Sequence, residues 1–121
     1  MRVFVYYNLH KKLWSVKALD GPNKGRVVHH ANAVCLANAT PKVSRAGRLR
    51  VLLERCKNVH AGIVGDLVSW TNETNDWGTY DDWATVTYNP YLYETFVYTE
   101  DKKEFTGSKK CIMVGREVFT K

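Results

Sequence analysis

The chain has 121 residues, 45% of them hydrophobic, which suits a single domain over residues 1–121 with one modest core. No run approaches the roughly 18 uninterrupted apolar residues of a membrane span, and the opening MRVFVYYNLHKK alternates instead of forming a signal-peptide core, so a soluble, non-exported protein is expected. The net charge of +6 is unevenly placed: residues 1–60 hold twelve Lys or Arg against Asp20 and Glu54, whereas residues 61–121 hold six against ten acids. Such a split points to a basic face suited to phosphate or to an acidic protein.

In chain order, residues 2–7 (RVFVYY) and 13–19 (LWSVKAL) are rich in β-branched and aromatic residues, and with NLHKK between them they predict an N-terminal β-hairpin. Trp14, Val16 and Ala18 then share one face of the second strand, with Leu13, Ser15, Lys17 and Leu19 on the other. DGPNKG at 20–25 is a strong break. RVVHHA and AVCLA read as two short strands, or as one strand with a bulge.

Ser44 is placed to cap a helix, although Gly47 stands where a capping box would have Glu or Gln. Leu49, Leu52, Leu53 and Cys56 follow at i, i+3, i+4 and i+7, which predicts an amphipathic helix over about residues 44–57, ending near Asn58, with those four side chains facing the core. AGIVGDLVSW reads as a strand whose glycines anticipate a bulge or a close backbone approach. TNETNDWGTYDDW reads as a long polar loop, after which ATVTYNPYLYETFVYTE and KKCIMVGREVFTK return to strand composition. The expected fold class is α+β: a mostly antiparallel sheet with one principal amphipathic helix on one face. Cys35, Cys56 and Cys111 lack a CxxC pair and sit beside apolar residues, so they read as small buried hydrophobes in a reducing cytosol, without disulfide or zinc.

The helical wheel places Arg48 with Arg55 on one flank of the leucine stripe and Arg50 with Lys57 on the other. Arg48 and Arg55 would stand about 10.5 Å apart along the axis, within reach of two phosphates. A solvated helix whose arginine stems cover the core edge accounts for the same pattern. Lys11, Lys12, Lys24, Arg26 and Lys42 lie at turns or element ends, where phosphate contacts are commonly presented, and Tyr6, Tyr7 and Trp14 offer rings for base stacking or for the core. The candidate nucleic-acid-binding set is therefore Lys11, Lys12, Arg26, Arg45, Arg48, Arg50, Arg55 and Lys57.

All four histidines fall in the basic half. His10, His29, His30 and His60 are candidate acid and base groups for metal-independent RNA cleavage, with at most one of His29 and His30 on any one sheet face. Hard metal ions lack carboxylates in this half, so neither a metal nor a cofactor is expected. Asp76, Trp77, Tyr80, Asp81, Asp82 and Trp83 form an acidic-aromatic loop, which reads either as a protein-binding surface or as a loop anchored by its own rings.

NLHKKLWSVKAL, GRVVHHA, the run from KVSRAGRLRVL to KNVHAGIVG, and VTYNPYLYETFV together resemble a family of small proteins encoded by tailed bacteriophages and prophages. The resemblance implies a cytosolic protein made in an infected bacterium, where accessory proteins alter host nucleic-acid machinery or blunt host defences. It carries over no catalytic residues. The expected function is non-enzymatic binding of RNA, DNA or a nucleoprotein complex through the basic face. Two alternatives stand beside it: a protein-directed inhibitor of a host or defence enzyme, and a metal-independent ribonuclease or phosphodiesterase.

Overall fold

A computed structural model describes residues 1–57, 59–73 and 82–121. Among these residues nine strands form one antiparallel sheet, ordered β3-β2-β1-β5-β4-β8-β9-β6-β7. The strands are β1 (Arg2–Asn8), β2 (Leu13–Ala18), β3 (Val27–Ala31), β4 (Ala33–Val43), β5 (Ala61–Thr71), β6 (Ala84–Thr87), β7 (Val97–Tyr98), β8 (Ser108–Val114) and β9 (Glu117–Thr120); α1 (Arg45–Glu54) joins β4 to β5. No helix among the described residues is long and apolar enough to cross a membrane.

The N-terminal hairpin forms as its alternation requires, with Val5 opposite Val16 and Tyr7 opposite Trp14. RVVHHA and AVCLA resolve into two strands with different neighbours: β3 pairs with β2, and β4 pairs with β5 and β8. Only Asn32 separates β3 from β4, although the two lie four strands apart in the sheet. A flat sheet would hold them about 19 Å apart, whereas two peptide units span about 7 Å. The sheet must therefore roll until its β3 edge meets the start of β4. Cross-sheet hydrogen bonds hold that closure: Trp14 Nε1 donates to the Gly115 carbonyl at 2.9 Å, and the Gly115 and Asn32 amides donate to the Asn32 and Thr71 carbonyls.

Val3, Val5, Val16, Val34, Leu36, Ile63 and Met113 fill the inside of the roll, joined by Phe105 from the β7–β8 connection, and all are essentially inaccessible to solvent. Each large aliphatic or aromatic side chain so buried contributes about 1.5–3 kcal/mol. Register shifts on β4, between Cys35 and Leu36 and between Ala37 and Thr40, bend the two longest strands around this core. Gly62 supplies the close approach anticipated for β5: a Cβ there would lie 2.4 Å from the Val5 carbonyl oxygen.

The expectation of an α+β domain built around a principal amphipathic helix does not hold. The chain is β-rich, and its helix has ten residues, ending at Glu54 where Arg55 turns into the left-handed region at φ 51°. The Ser44 cap forms, with its Oγ accepting from the Gly47 amide at 3.2 Å. The buried face is different from the predicted one: Gly47 and Val51 are buried, Arg48 and Leu52 are half-buried, while Leu49, Leu53 and Cys56 are exposed. The helix docks through its smallest residue, since a Cβ on Gly47 would stand 2.5 Å from His60 Cβ. That contact, together with an Arg48 hydrogen bond to the Pro90 carbonyl, sets the rotation and leaves Leu49 and Leu53 in solvent. The cysteines divide as well: Cys111 is buried with its thiol pushed up to about 12 by burial, Cys35 is half-buried, and Cys56 is exposed, all three free.

Candidate functional site

At the end of the roll where β1 finishes and β5 begins, an open groove of about 820 Å³ descends to the core. Val5, Ile63, Val86 and Val118 form its floor. Its walls come from the β1–β2 turn, the segment after α1, residues 88–91 and the β8–β9 turn. Arg55, Lys57 and Arg116 bring three cations to it, and no Asp or Glu is among the described residues that line it.

Local hydrogen bonding positions each wall. Asn8 Oδ1 accepts from the His10 and Lys11 amides, both at 3.0 Å, and the Asn8 carbonyl accepts from Lys12, whose φ of 56° closes the turn. This holds His10 at the rim. Arg55 is carried outward by its own left-handed conformation, which costs a non-glycine residue about 1–2 kcal/mol. On the far side, Arg116 lies 5.3 Å from the Tyr7 ring centroid, and Tyr7 packs edge-on against Trp14 at 5.2 Å.

The wall formed by residues 88–91 is tied to the helix by polar groups. The Tyr88 hydroxyl lies 2.8 Å from His60 Nε2 and also takes a hydrogen bond from Arg48. Burial pushes the Tyr88 phenol up, and the neighbouring Arg48 charge and hydrogen bond partly offset that rise. Arg48 Nε donates to the Pro90 carbonyl at 3.0 Å. Tyr88→Phe removes the shared hydroxyl and should cost about 1–3 kcal/mol of unfolding free energy in a denaturant titration, because two partly buried polar groups, the His60 imidazole and the Arg48 guanidinium, lose a hydrogen-bond partner. An unchanged midpoint would show that the wall does not depend on this network.

The structure gathers some of the sequence candidates and disperses others. His10, His60, Arg55 and Lys57 line the groove, as do Tyr7 and Trp14; Lys11 and Lys12 are exposed in the turn that carries His10. Tyr6 borders it too, but pairs with Ser15 on the face opposite Tyr7. Arg48 is engaged with Pro90 and Tyr88, and the helix stops before Arg55, so the two do not form one helical ladder. Arg45 lies at a separate polar crevice with Glu94 and Glu104, Arg50 is exposed on α1, and Arg26 lies in the turn leading to β3, at the other end of β2 from His10.

His29 and His30 point to opposite faces as the strand period requires, and neither lines the groove. His29 stacks on Trp70 at 4.3 Å, while His30 Nδ1 lies 3.0 Å from Ser15 Oγ. Of the acidic-aromatic loop, Asp76, Trp77, Tyr80 and Asp81 lie outside the described residues. Lys121 pairs with Asp82 at 3.1 Å, holding that carboxyl below the usual range, and lies 5.7 Å from the Trp83 ring centroid. No group of three or more His, Cys, Asp or Glu among the described residues is arranged to hold a metal ion. Sequence reasoning missed Arg116, Tyr88 and Tyr91: all three lie in the acidic half of the chain, where only the aromatic density of VTYNPYLYETFV was a signal.

A family described as Mycobacterium phage L5 gene 82 protein matches residues 1–121. The chain belongs to that family. The similarity to the gene 82 protein of Mycobacterium phage L5 is 43% identity over 121 residues, covering 93% of this chain and 90% of the relative. No solved structure matches the chain. The groove thus lies in a member of a bacteriophage protein family.

Proposed function

We propose that this phage protein is a non-enzymatic accessory factor that binds nucleic acid through the groove in the cytoplasm of the infected host. The observation that carries the reading is the composition of the walls: Arg55, Lys57 and Arg116 together with the rings of Tyr7, Tyr88 and Tyr91, and no carboxylate among the described lining residues. An anion entering the groove gains three cations and meets no repelling charge there, and rings together with cations suit a strand of bases and phosphates. Binding of fluorescent RNA or DNA oligonucleotides should weaken linearly in log affinity against log salt, with a slope near −2 for about three phosphate contacts on a single strand. Salt-independent binding, or none at about 50 mM salt, would overturn the proposal.

One observation supports an enzymatic reading of the same site. His10 and His60 both line the groove that holds the three cations. In that reading one imidazole takes the proton of an RNA 2′-hydroxyl as its oxygen attacks the adjacent phosphorus. The other gives a proton to the departing 5′-oxygen, leaving a 2′,3′-cyclic phosphate, and an arginine stabilises the charge that develops between. Cleavage of RNA in excess chelator, lost in His10→Ala and in His60→Ala, is its signature; RNA left intact after prolonged incubation removes it.

A further inference from the structure

Resting on the nucleic-acid reading above, we propose that the groove takes single-stranded nucleic acid, with an unpaired base stacked on Tyr91 and flanking phosphates on Arg55, Lys57 and Arg116. The first reason is shape. A duplex presents its base edges at the bottom of its own grooves, so a protein reads it with a protruding helix or ribbon. Here the cationic surface is concave and its floor is the protein core, formed by Val5, Ile63 and Val86. A base reaches such a floor only when it is unstacked and unpaired. The volume of about 820 Å³ falls within the roughly 300–1,000 Å³ of small-ligand sites, suited to a nucleotide or two and not to a helix of paired strands.

The second reason is Tyr91. It is 61% exposed, an unusual state for a large ring at the rim of an apolar groove, yet its backbone is fixed. Its amide donates to Asn89 Oδ1 at 2.9 Å, the next two amides donate to the Asn89 carbonyl, and the preceding carbonyl, that of Pro90, accepts from Arg48. A ring held out by an ordered backbone loses little conformational freedom when a base stacks on it, and such stacking is worth about 1–3 kcal/mol per base irrespective of sequence. The cations come from two separate segments, Arg116 from the β8–β9 turn and Arg55 with Lys57 from the stretch after α1, so a strand lying in the groove has more than one phosphate partner there.

The test is fluorescence anisotropy of the full chain at low salt with a labelled oligonucleotide of about eight nucleotides, its duplex, the same strand carrying abasic sites, and a labelled polyglutamate peptide. The expected result is single-strand binding at least about tenfold tighter than duplex binding, a loss of about fivefold or more with the abasic strand, and a similar loss in Tyr91→Ala that Tyr91→Phe restores. Equal or tighter duplex binding, abasic binding at full strength, or an unaffected Tyr91→Ala overturns the single-strand assignment while nucleic-acid binding stands. Binding of polyglutamate without any nucleic acid overturns the underlying reading as well, and identifies an acidic protein as the occupant.

Discussion

Replacing Arg55 and Lys57 together by glutamate is expected to weaken oligonucleotide binding by roughly 30–150-fold at low salt, equivalent to about 2–3 kcal/mol. Both side chains are exposed and both line the groove, so the change acts on the ligand and leaves the packed core untouched. The log–log salt dependence should flatten by about 1.4 as two phosphate contacts on a single strand are lost. Lys103→Glu with Lys109→Glu makes the same change in net charge at exposed positions outside the groove. That variant should lose far less affinity, because neither lysine lines the groove and only the long-range part of its charge acts on the ligand. Equal losses in the two double variants would place the effect in overall charge and not in this site.

The second large effect is on stability. Gly62→Ala puts a methyl group 2.4 Å from the Val5 carbonyl oxygen and 2.7 Å from Phe4 Cζ. The oxygen belongs to the backbone of β1, and Val5 is paired with Ile63 on β5, so the methyl is relieved only by parting the two strands at the centre of the roll. A loss of about 3–4 kcal/mol is expected, read as a fall of roughly 10–20 °C in Tm. Gly21→Ala is the comparison: its φ of 75° disfavours a side chain, but no atom lies within 4 Å of the added Cβ. Its cost should stay near 1–2 kcal/mol. A Gly62→Ala protein that melts with the native one would show that β1 and β5 do not approach in this way.

Arg55→Gly would separate the two roles of that residue, since glycine adopts the left-handed conformation freely while offering nothing to a phosphate.

What could be read directly from the residues was local. The hairpin of β1 and β2 followed from alternation around NLHKK, the Ser44 cap from its hydroxyl and position, and the opposed faces of His29 and His30 from the two-residue strand period. The concentration of cations in residues 1–60 was equally plain, and four of the candidates named from it, His10, His60, Arg55 and Lys57, do line one groove. These properties depend on neighbours a few positions away, whose geometry the backbone dictates.

The face of α1 and the membership of the groove were decided elsewhere. Leucine spacing pointed Leu49 and Leu53 inward, but a helix of ten residues turns to whichever side lets its backbone come closest, and Gly47 against His60 allows that on another side. Arg116 reaches Tyr7, and Trp14 bonds to Gly115 across 101 positions, only because the sheet rolls far enough to bring its β3 edge to β4. Local spacing carries no record of that curvature, which arises from the register shifts of β4 and the single residue between β3 and β4. The charge and the strands were legible in order along the chain; the closure that makes one site of them is a property of strands paired far apart in it.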